Sequence, residues 1–424
     1  MRHQLPILQS WFFSVTIYIL FIASGFSLAA VEFATGMLLL LGLFCKKNIF
    51  FDTKYFFFVM LWFGVVGVST VVHDSWREVF PALKGDYRLL LPLVLPLALG
   101  TVDLKKLLKI YLIGMGLMAI YGIIQHFYGV DWFRVGGAKL ITPYPRVGGT
   151  VFHAKGNFSH HLTYAGVMLM NVPLFLSLAI HQSSRERWTW GLGAVLCTLA
   201  LVFSLSRSGW LGGLAGMSVL IFLLPRRRAW RIMFSLGCFG ILVISLMGSG
   251  WLRQFYQPDH PQLLNRLLLT SLEYDQDRWH LWQAAWMGIE EHPWLGVGLG
   301  NEVPAFEHYR QGVSTQYQGY VFNNKASAGV HNQYLQILFS TGVLGLLAHL
   351  LIFGVILHGN VQVIQKSSSA WTKGLGWGLL GGICGHLTAG IFDNNFFDSE
   401  VQNLVMVFVG ILFYLNLPLP RLDE

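Results

Sequence analysis

The chain has 424 residues, of which 54% are hydrophobic and only 12% charged, about half the charge fraction of an ordinary soluble domain. That balance excludes a water-soluble globular class. Apolar runs long enough to cross a hydrocarbon core of about 30 Å recur along nearly the whole length, so the fold class is an all-α polytopic membrane protein forming one integral domain over residues 1–424. The net charge of +8 is spread over many short loops and follows membrane orientation, so no nucleic-acid partner is expected. Cys45, Cys197, Cys238 and Cys384 lie in or beside apolar runs, far from one another, and suggest neither a disulfide framework nor a metal cluster.

The first apolar run, Trp11 to Ala23, has the length and small residues of a signal peptide, but equally apolar runs follow and it reads as a first span. Candidate spans then run Ala30–Phe44, Tyr55–Val72, Leu89–Leu99, Leu107–Phe127, Leu162–Ile180, Thr189–Phe203, Trp210–Leu224, Arg231–Met247, Gln333–Leu357, Gly374–Ile391 and Val401–Leu415. The total is about twelve. With a cytoplasmic N-terminus, the short inner loops hold Lys46, Lys47, Lys105, Lys106, Arg226 and Arg227, as the positive-inside rule asks, and both termini lie inside. The outer segments are Val72–Arg88, Gly129–His161, the turn around Ser204–Gly209, a large loop over residues 250–330, and Phe392–Glu400. They also carry cations, among them Lys84, Arg88, Arg146, Arg207 and Arg278. Positive charge on the disfavoured side calls for an anionic ligand there or for lipid phosphates.

Within the large loop, Trp279, Trp282, Trp286 and Ile289 recur at helical spacing and predict an interfacial amphipathic helix that holds Arg278 over the membrane surface. Pro293-Trp-Leu-Gly-Val-Gly-Leu-Gly-Asn301 follows, a glycine-rich break that serves as a hinge or as a weak phosphate cradle. The turn Ser204-Leu-Ser-Arg-Ser-Gly209 fixes Arg207 near the interface, where its planar fork suits a phosphate. His331 stands at the start of the tenth span, where the positive end of a helix favours a neutral, proton-accepting ring. His160-His161 stands at the outer start of the sixth span and could orient a sugar or a headgroup, though a hydrated interfacial pair is the plainer reading, and Asp275-Gln-Asp277 imitates a metal motif that does not suit an outer loop.

Ser206-Arg207-Ser208-Gly209, Arg278-Trp-His-Leu-Trp282 leading into His292-Pro-Trp-Leu-Gly-Val-Gly-Leu-Gly-Asn301, and His331-Asn332 with Leu335, set among about twelve spans, resemble the O-antigen ligase/polymerase superfamily. The motif core covers residues 201–345, and the length and single large loop are most similar to O-antigen ligases. The resemblance implies a membrane-embedded, inverting glycosyltransferase of the bacterial inner membrane that needs no metal and no cofactor, with its active site periplasmic. Its donor would be a polysaccharide on undecaprenyl diphosphate and its acceptor the lipid A–core oligosaccharide. By the same resemblance His331 is the catalytic histidine, Arg207 and Arg278 contact the diphosphate, and Arg88, Lys84 and Arg146 are further donor-site residues.

O-antigen or exopolysaccharide polymerases and protein O-oligosaccharyltransferases share these motifs, and no acceptor-specific motif separates them. A transporter of lipid-linked glycans could use the same outward cations for binding alone. Transporters bury polar groups at mid-membrane and show repeats, whereas the span centres here hold few charges, Glu32 near a span start being the main one.

Overall fold

The computed structural model describes residues 7–45, 52–133, 139–140, 152–182, 184–223, 272–322, 325 and 329–417. Helix dominates. In chain order the helices are α1 (Ile7–Ala23), α2 (Leu28–Leu43), α3 (Thr53–His73), the short α4 (Val79–Leu83), α5 (Leu91–Leu99), α6 (Leu104–Tyr128), α7 (His161–His181), α8 (Ser184–Phe203) and α9 (Arg207–Val219). After them come α10 (Leu272–Glu291), α11 (Glu302–Gln316), α12 (Gln333–Lys366), α13 (Ala370–Ala389) and α14 (Ser399–Asn416). Two two-residue strands, β1 (Val130–Asp131) and β2 (Lys139–Leu140), pair antiparallel.

Each apolar run that falls among the described residues coincides with helix, while Arg231–Met247 lies outside them. Among the described residues, α3, α6, α7, α12 and α14 are long and apolar enough to cross a membrane. The Leu89–Leu99 run is not a full span. It is a 3-10 turn followed by a nine-residue helix with Pro92 at its start and Pro96 inside it, about 14 Å long at 1.5 Å per residue.

Close backbone approach organises the core. A Cβ on Gly212 or Gly216 of α9 would lie 2.6 Å from the carbonyl oxygens of Gly385 and Gly381 on α13, and one on Gly378 would lie 2.7 Å from the Leu174 Cα on α7. Small residues let membrane helices pack backbone to backbone where no hydrophobic effect drives them together. Glycine serves that close packing along this three-helix contact.

α12 is broken where it matters. Gly342 adopts φ 66°, ψ −169°, which interrupts the helix, and the carbonyls released there are taken up by the glycine-rich turn. Val297 N–H donates to the Phe339 oxygen at 2.9 Å, Gly298 N–H to the Ser340 oxygen at 3.0 Å, and Val343 N–H to the Pro293 oxygen at 2.9 Å. The turn is thus a hinge stitched to the kink, and these N–H groups are spent on protein carbonyls instead of cradling a phosphate. Around it a second small core gathers Leu281, Ala284 and Ile289 of α10, Phe306 and Tyr309 of α11, and Val330 and Phe339.

That packing reshapes the expected tryptophan stripe. Ile289 is buried and Trp282 packs against the second core, whereas Trp279 and Trp286 are 58% and 51% exposed. Stepping at about 100° per residue, the tryptophans flank the buried face of α10 instead of forming it.

Glu32, the one carboxylate placed in an early apolar run, is neutralised by Arg88. The guanidinium donates to Glu32 Oε1 through Nη2 at 2.6 Å and Nε at 3.0 Å, and the Tyr87 hydroxyl also donates to Glu32. Glu32 keeps 25% of its side chain exposed, and a carboxylate partly withdrawn from water gains from such a partner.

Candidate active site

Five helix N-termini meet at one end of the molecule: those of α7, α9, α11, α12 and α14. Each peptide dipole leaves partial positive charge at such an end, and here the carboxylates of Glu302, Asp393 and Asp398 meet it. A cavity of about 470 Å³ opens there, with His160, Glu302, His331, Gln336, Asp393 and Asp398 among its lining side chains.

The local sequence sets His331 at the cavity wall. Asn332 caps α12, its side-chain oxygen accepting from Tyr334 N–H and Leu335 N–H, each at 3.0 Å. Gln333 N–H donates to the carbonyls of Gly390 and Asp393, which ties the helix start to the α13–α14 connection. His331 itself has φ +54° and Gly329 φ +73°. A left-handed non-glycine residue stores about 1–3 kcal/mol and persists only where the surroundings over-determine it. Here the clamp is visible: Gln336 Oε1 accepts from Val330 N–H at 2.9 Å, and a Cβ on Gly329 would lie 2.7 Å from that same oxygen.

The imidazole faces a buried carboxylate. Nδ1 of His331 stands 3.8 Å from Asp393 Oδ1, and neither ring nitrogen has a hydrogen-bond partner among the described residues. Asp393 is 2% exposed and is itself fixed, with Oδ1 accepting from Asn394 N–H and Oδ2 from the Ser208 hydroxyl at 3.3 Å. A small closure would hydrogen-bond Nδ1 to Asp393 and leave Nε2 to take a proton, the base-plus-orienter arrangement of general base catalysis; unliganded sites often hold such pairs long.

The Ser208 contact places the Arg207 motif at this site. Ser206 caps α9 by accepting from Gly209 N–H at 3.1 Å, and Arg207, half-buried, is the first residue of that helix, directly before Ser208. Arg278 lies on the first turns of α10 between two anchors. Buried Asp277 is bonded by the Tyr320 hydroxyl, and the His280 ring stands 4.4 and 4.2 Å from those of Tyr317 and Tyr320. Asp277 is thereby occupied by protein. α10 packs on the segment carrying Val330, immediately before His331.

The other predicted cations are placed differently. Arg88 is 7% exposed, and besides Glu32 it donates to the Gly85 oxygen, Gln402 and Ser399. All five of its N–H donors are taken by the protein framework, which accounts for a buried arginine without any ligand. Lys84 is exposed, and Arg146 lies outside the described residues. His160 lines the cavity and is exposed there; its Nδ1 accepts from Leu162 N–H at 3.3 Å and caps α7.

Sequence reading missed the acidic side of the cavity. Asp393 and Asp398 lie in Ile391-Phe-Asp-Asn-Asn-Phe-Phe-Asp398, a polar interruption between two apolar runs, and Glu302 directly follows the glycine-rich turn. An interruption of that kind at the same end as His331 was the available signal. Burial raises the pKa of Asp398 from 3.8 to about 6, with Asp393 and Glu400 adding to the rise and the Thr163 hydrogen bond opposing it. Burial also raises the pKa of Glu302, against hydrogen bonds from Ser340 and Gln336 and with a small addition from Asp86.

The Asp398 shift predicts a stability effect. Between pH 3.8 and about 6 the folded protein holds a proton that the unfolded chain has lost, so this residue's contribution is best below that window, declines through it and stays flat above. Asp398→Asn keeps an acceptor for Thr163 and removes the titration. It should stabilise the detergent-solubilised protein by on the order of 2 kcal/mol at neutral pH and by little at about pH 4, read as a rise in unfolding temperature. An equal rise at both pH values would show that the charge is not the cause.

Comparison with known proteins agrees with these motifs. The family model described as O-antigen ligase matches residues 192–350, which include Arg207, α10 and His331. The chain is 26% identical over 320 residues to an O-antigen ligase of Salmonella typhimurium, covering 74% of this chain and 70% of that protein. It is 23% identical over 308 residues to the teichuronic acid biosynthesis protein TuaE of Bacillus subtilis, covering 70% of this chain and 58% of that protein. Helical membrane architecture, the arginine and histidine motifs and these matches together make residues 192–350 similar to the O-antigen ligase family, and the chain similar over most of its length to an O-antigen ligase.

Proposed function

We propose that the protein is an inverting, metal-independent glycosyltransferase that moves a polysaccharide from undecaprenyl diphosphate to the lipid A–core oligosaccharide at the periplasmic face of the inner membrane. In this reading the chain has about twelve spans, cytoplasmic termini and a large outer loop over residues 250–330. The observation that carries it is His331 facing Asp393 across 3.8 Å, at the rim of a cavity where helix N-termini converge.

The chemistry is a single displacement. An acceptor hydroxyl oxygen attacks the anomeric carbon of the donor, the bond from that carbon to the diphosphate oxygen breaks, and its electron pair leaves with the diphosphate. His331 takes the hydroxyl proton through Nε2, and Asp393 steadies the resulting imidazolium. Charge growing on the leaving diphosphate is met by Arg207 and Arg278. Arg88 has a framework role in this scheme. The donor already carries its leaving group, so no nucleotide is required.

The relative named for teichuronic acid biosynthesis favours a second reading, polymerisation of lipid-linked glycans with the same machinery. Purified protein in detergent, given lipid-linked polysaccharide and lipid A–core, should form the joined product. Extension of the lipid-linked glycan without transfer to lipid A–core would favour the polymerase. A transporter would give no product with any acceptor.

A further inference from the structure

The cavity beside His331 carries the wrong charge for a diphosphate. Glu302, Asp393 and Asp398 all line it, and three carboxylates repel a phosphoryl group at close range. The sugar that occupies it must also present the hydroxyl that His331 deprotonates, because the leaving group of an inverting displacement departs from the opposite face.

The unused polar atoms fit a polyol. Glu302 Oε2 accepts from Ser340 at 2.7 Å and from Gln336 at 3.0 Å, which leaves Oε1 without a hydrogen bond among the described residues. Asp398 Oδ2 accepts from Thr163 at 2.7 Å, which leaves Oδ1 likewise. Each carboxylate is therefore held by one oxygen and offers the other. Since His160 Nδ1 already accepts from Leu162 N–H, the proton of its neutral ring sits on Nε2 and is available as a donor; desolvation lowers its pKa, against Asp393 and with His331 and Lys155. Phe306 and Phe397 add apolar surface to the same cavity. Fixed acceptors, one donor and aromatic faces recognise a hydroxyl-rich ring.

Resting on the glycosyltransferase reading above, we infer that this cavity is the acceptor subsite, and that Glu302 and Asp398 select a sugar ring without negative charge around the reacting hydroxyl. The two carboxylates act as specificity residues: they accept hydrogen bonds from hydroxyls and turn away carboxylates and phosphates.

The test uses the full chain in detergent with the lipid-linked donor and two lipid-anchored oligosaccharide acceptors, one ending in glucose and one ending in glucuronic acid. The wild type should prefer the glucose-ended acceptor by about 10-fold or more in kcat/KM, the scale of one poorly met charge. Asp398→Asn and Glu302→Gln should raise KM for the glucose-ended acceptor, leave KM for the donor unchanged and shrink the preference to within about threefold. Asp398→Asn is the cleaner variant, because Glu302→Gln also touches the Gln336 clamp. Equal use of both acceptors by the wild type, or a preference that survives both substitutions, overturns the inference while leaving the enzyme reading intact. Failure of the wild type to transfer to either acceptor, to lipid A–core or to a second lipid-linked glycan overturns the enzyme reading and the subsite with it.

Discussion

Replacing His331 with alanine should abolish detectable transfer while the protein still inserts and purifies. A positioned base contributes about 10²–10⁴-fold; His160 has one nitrogen committed to capping α7, Asp393 is held by Ser208 and Asn394, and Glu302 and Asp398 are assigned to the acceptor's other hydroxyls. The fold should tolerate the change, since the ring makes no hydrogen bond among the described residues and the helix start is capped by Asn332, not by His331. Removing a left-handed histidine in favour of alanine neither relieves nor adds much backbone strain, as both carry a Cβ. Asp393→Asn should fall between wild type and His331→Ala, and its pH–rate profile should move because the imidazolium loses its counter-charge. Retention of most of the transfer rate by His331→Ala would remove the histidine from the mechanism.

How much of this was legible in the sequence follows from which forces act locally. Apolar runs fix helices wherever they have membrane length, because backbone groups in hydrocarbon must bond within their own segment, and α3, α6, α7, α12 and α14 accordingly fall where hydropathy puts them. The prolines at 92 and 96 shortened one such run in a way that hydropathy alone does not register. His331 and Arg207 were readable because each stands at a helix start marked by a capping residue, Asn332 and Ser206. The carboxylates were not, since Asp393 and Glu302 acquire meaning only through contacts between distant segments: Ser208 with Asp393, and Gln336 with both Glu302 and Val330. Arg88 shows the converse. It carries the charge expected of a donor-site residue, and its pairing with Glu32 depends on two helices meeting, which spacing does not encode.

Arg207→Ala and Arg278→Ala should each lower transfer by about 10²–10³-fold, the cost of losing one fixed donor aimed at developing charge. For Arg207 the surroundings make the experiment clean. The cap of α9 belongs to Ser206 and the link to Asp393 belongs to Ser208, so trimming the Arg207 side chain leaves both in place. For Arg278 the anchors are its neighbours Asp277 and His280, which the substitution leaves in place. Arg207→Lys separates charge from geometry: a guanidinium meets a diphosphate with two parallel charge-assisted bonds, whereas an ammonium is a point charge. Lysine should therefore restore only a minor part of the rate. Because the charge on the diphosphate grows as the bond breaks, the loss should appear mainly in kcat, with a smaller change in KM for the donor. If both alanine variants keep kcat within about threefold of wild type and only weaken donor binding, the arginines hold the ground state alone and do not stabilise the leaving group.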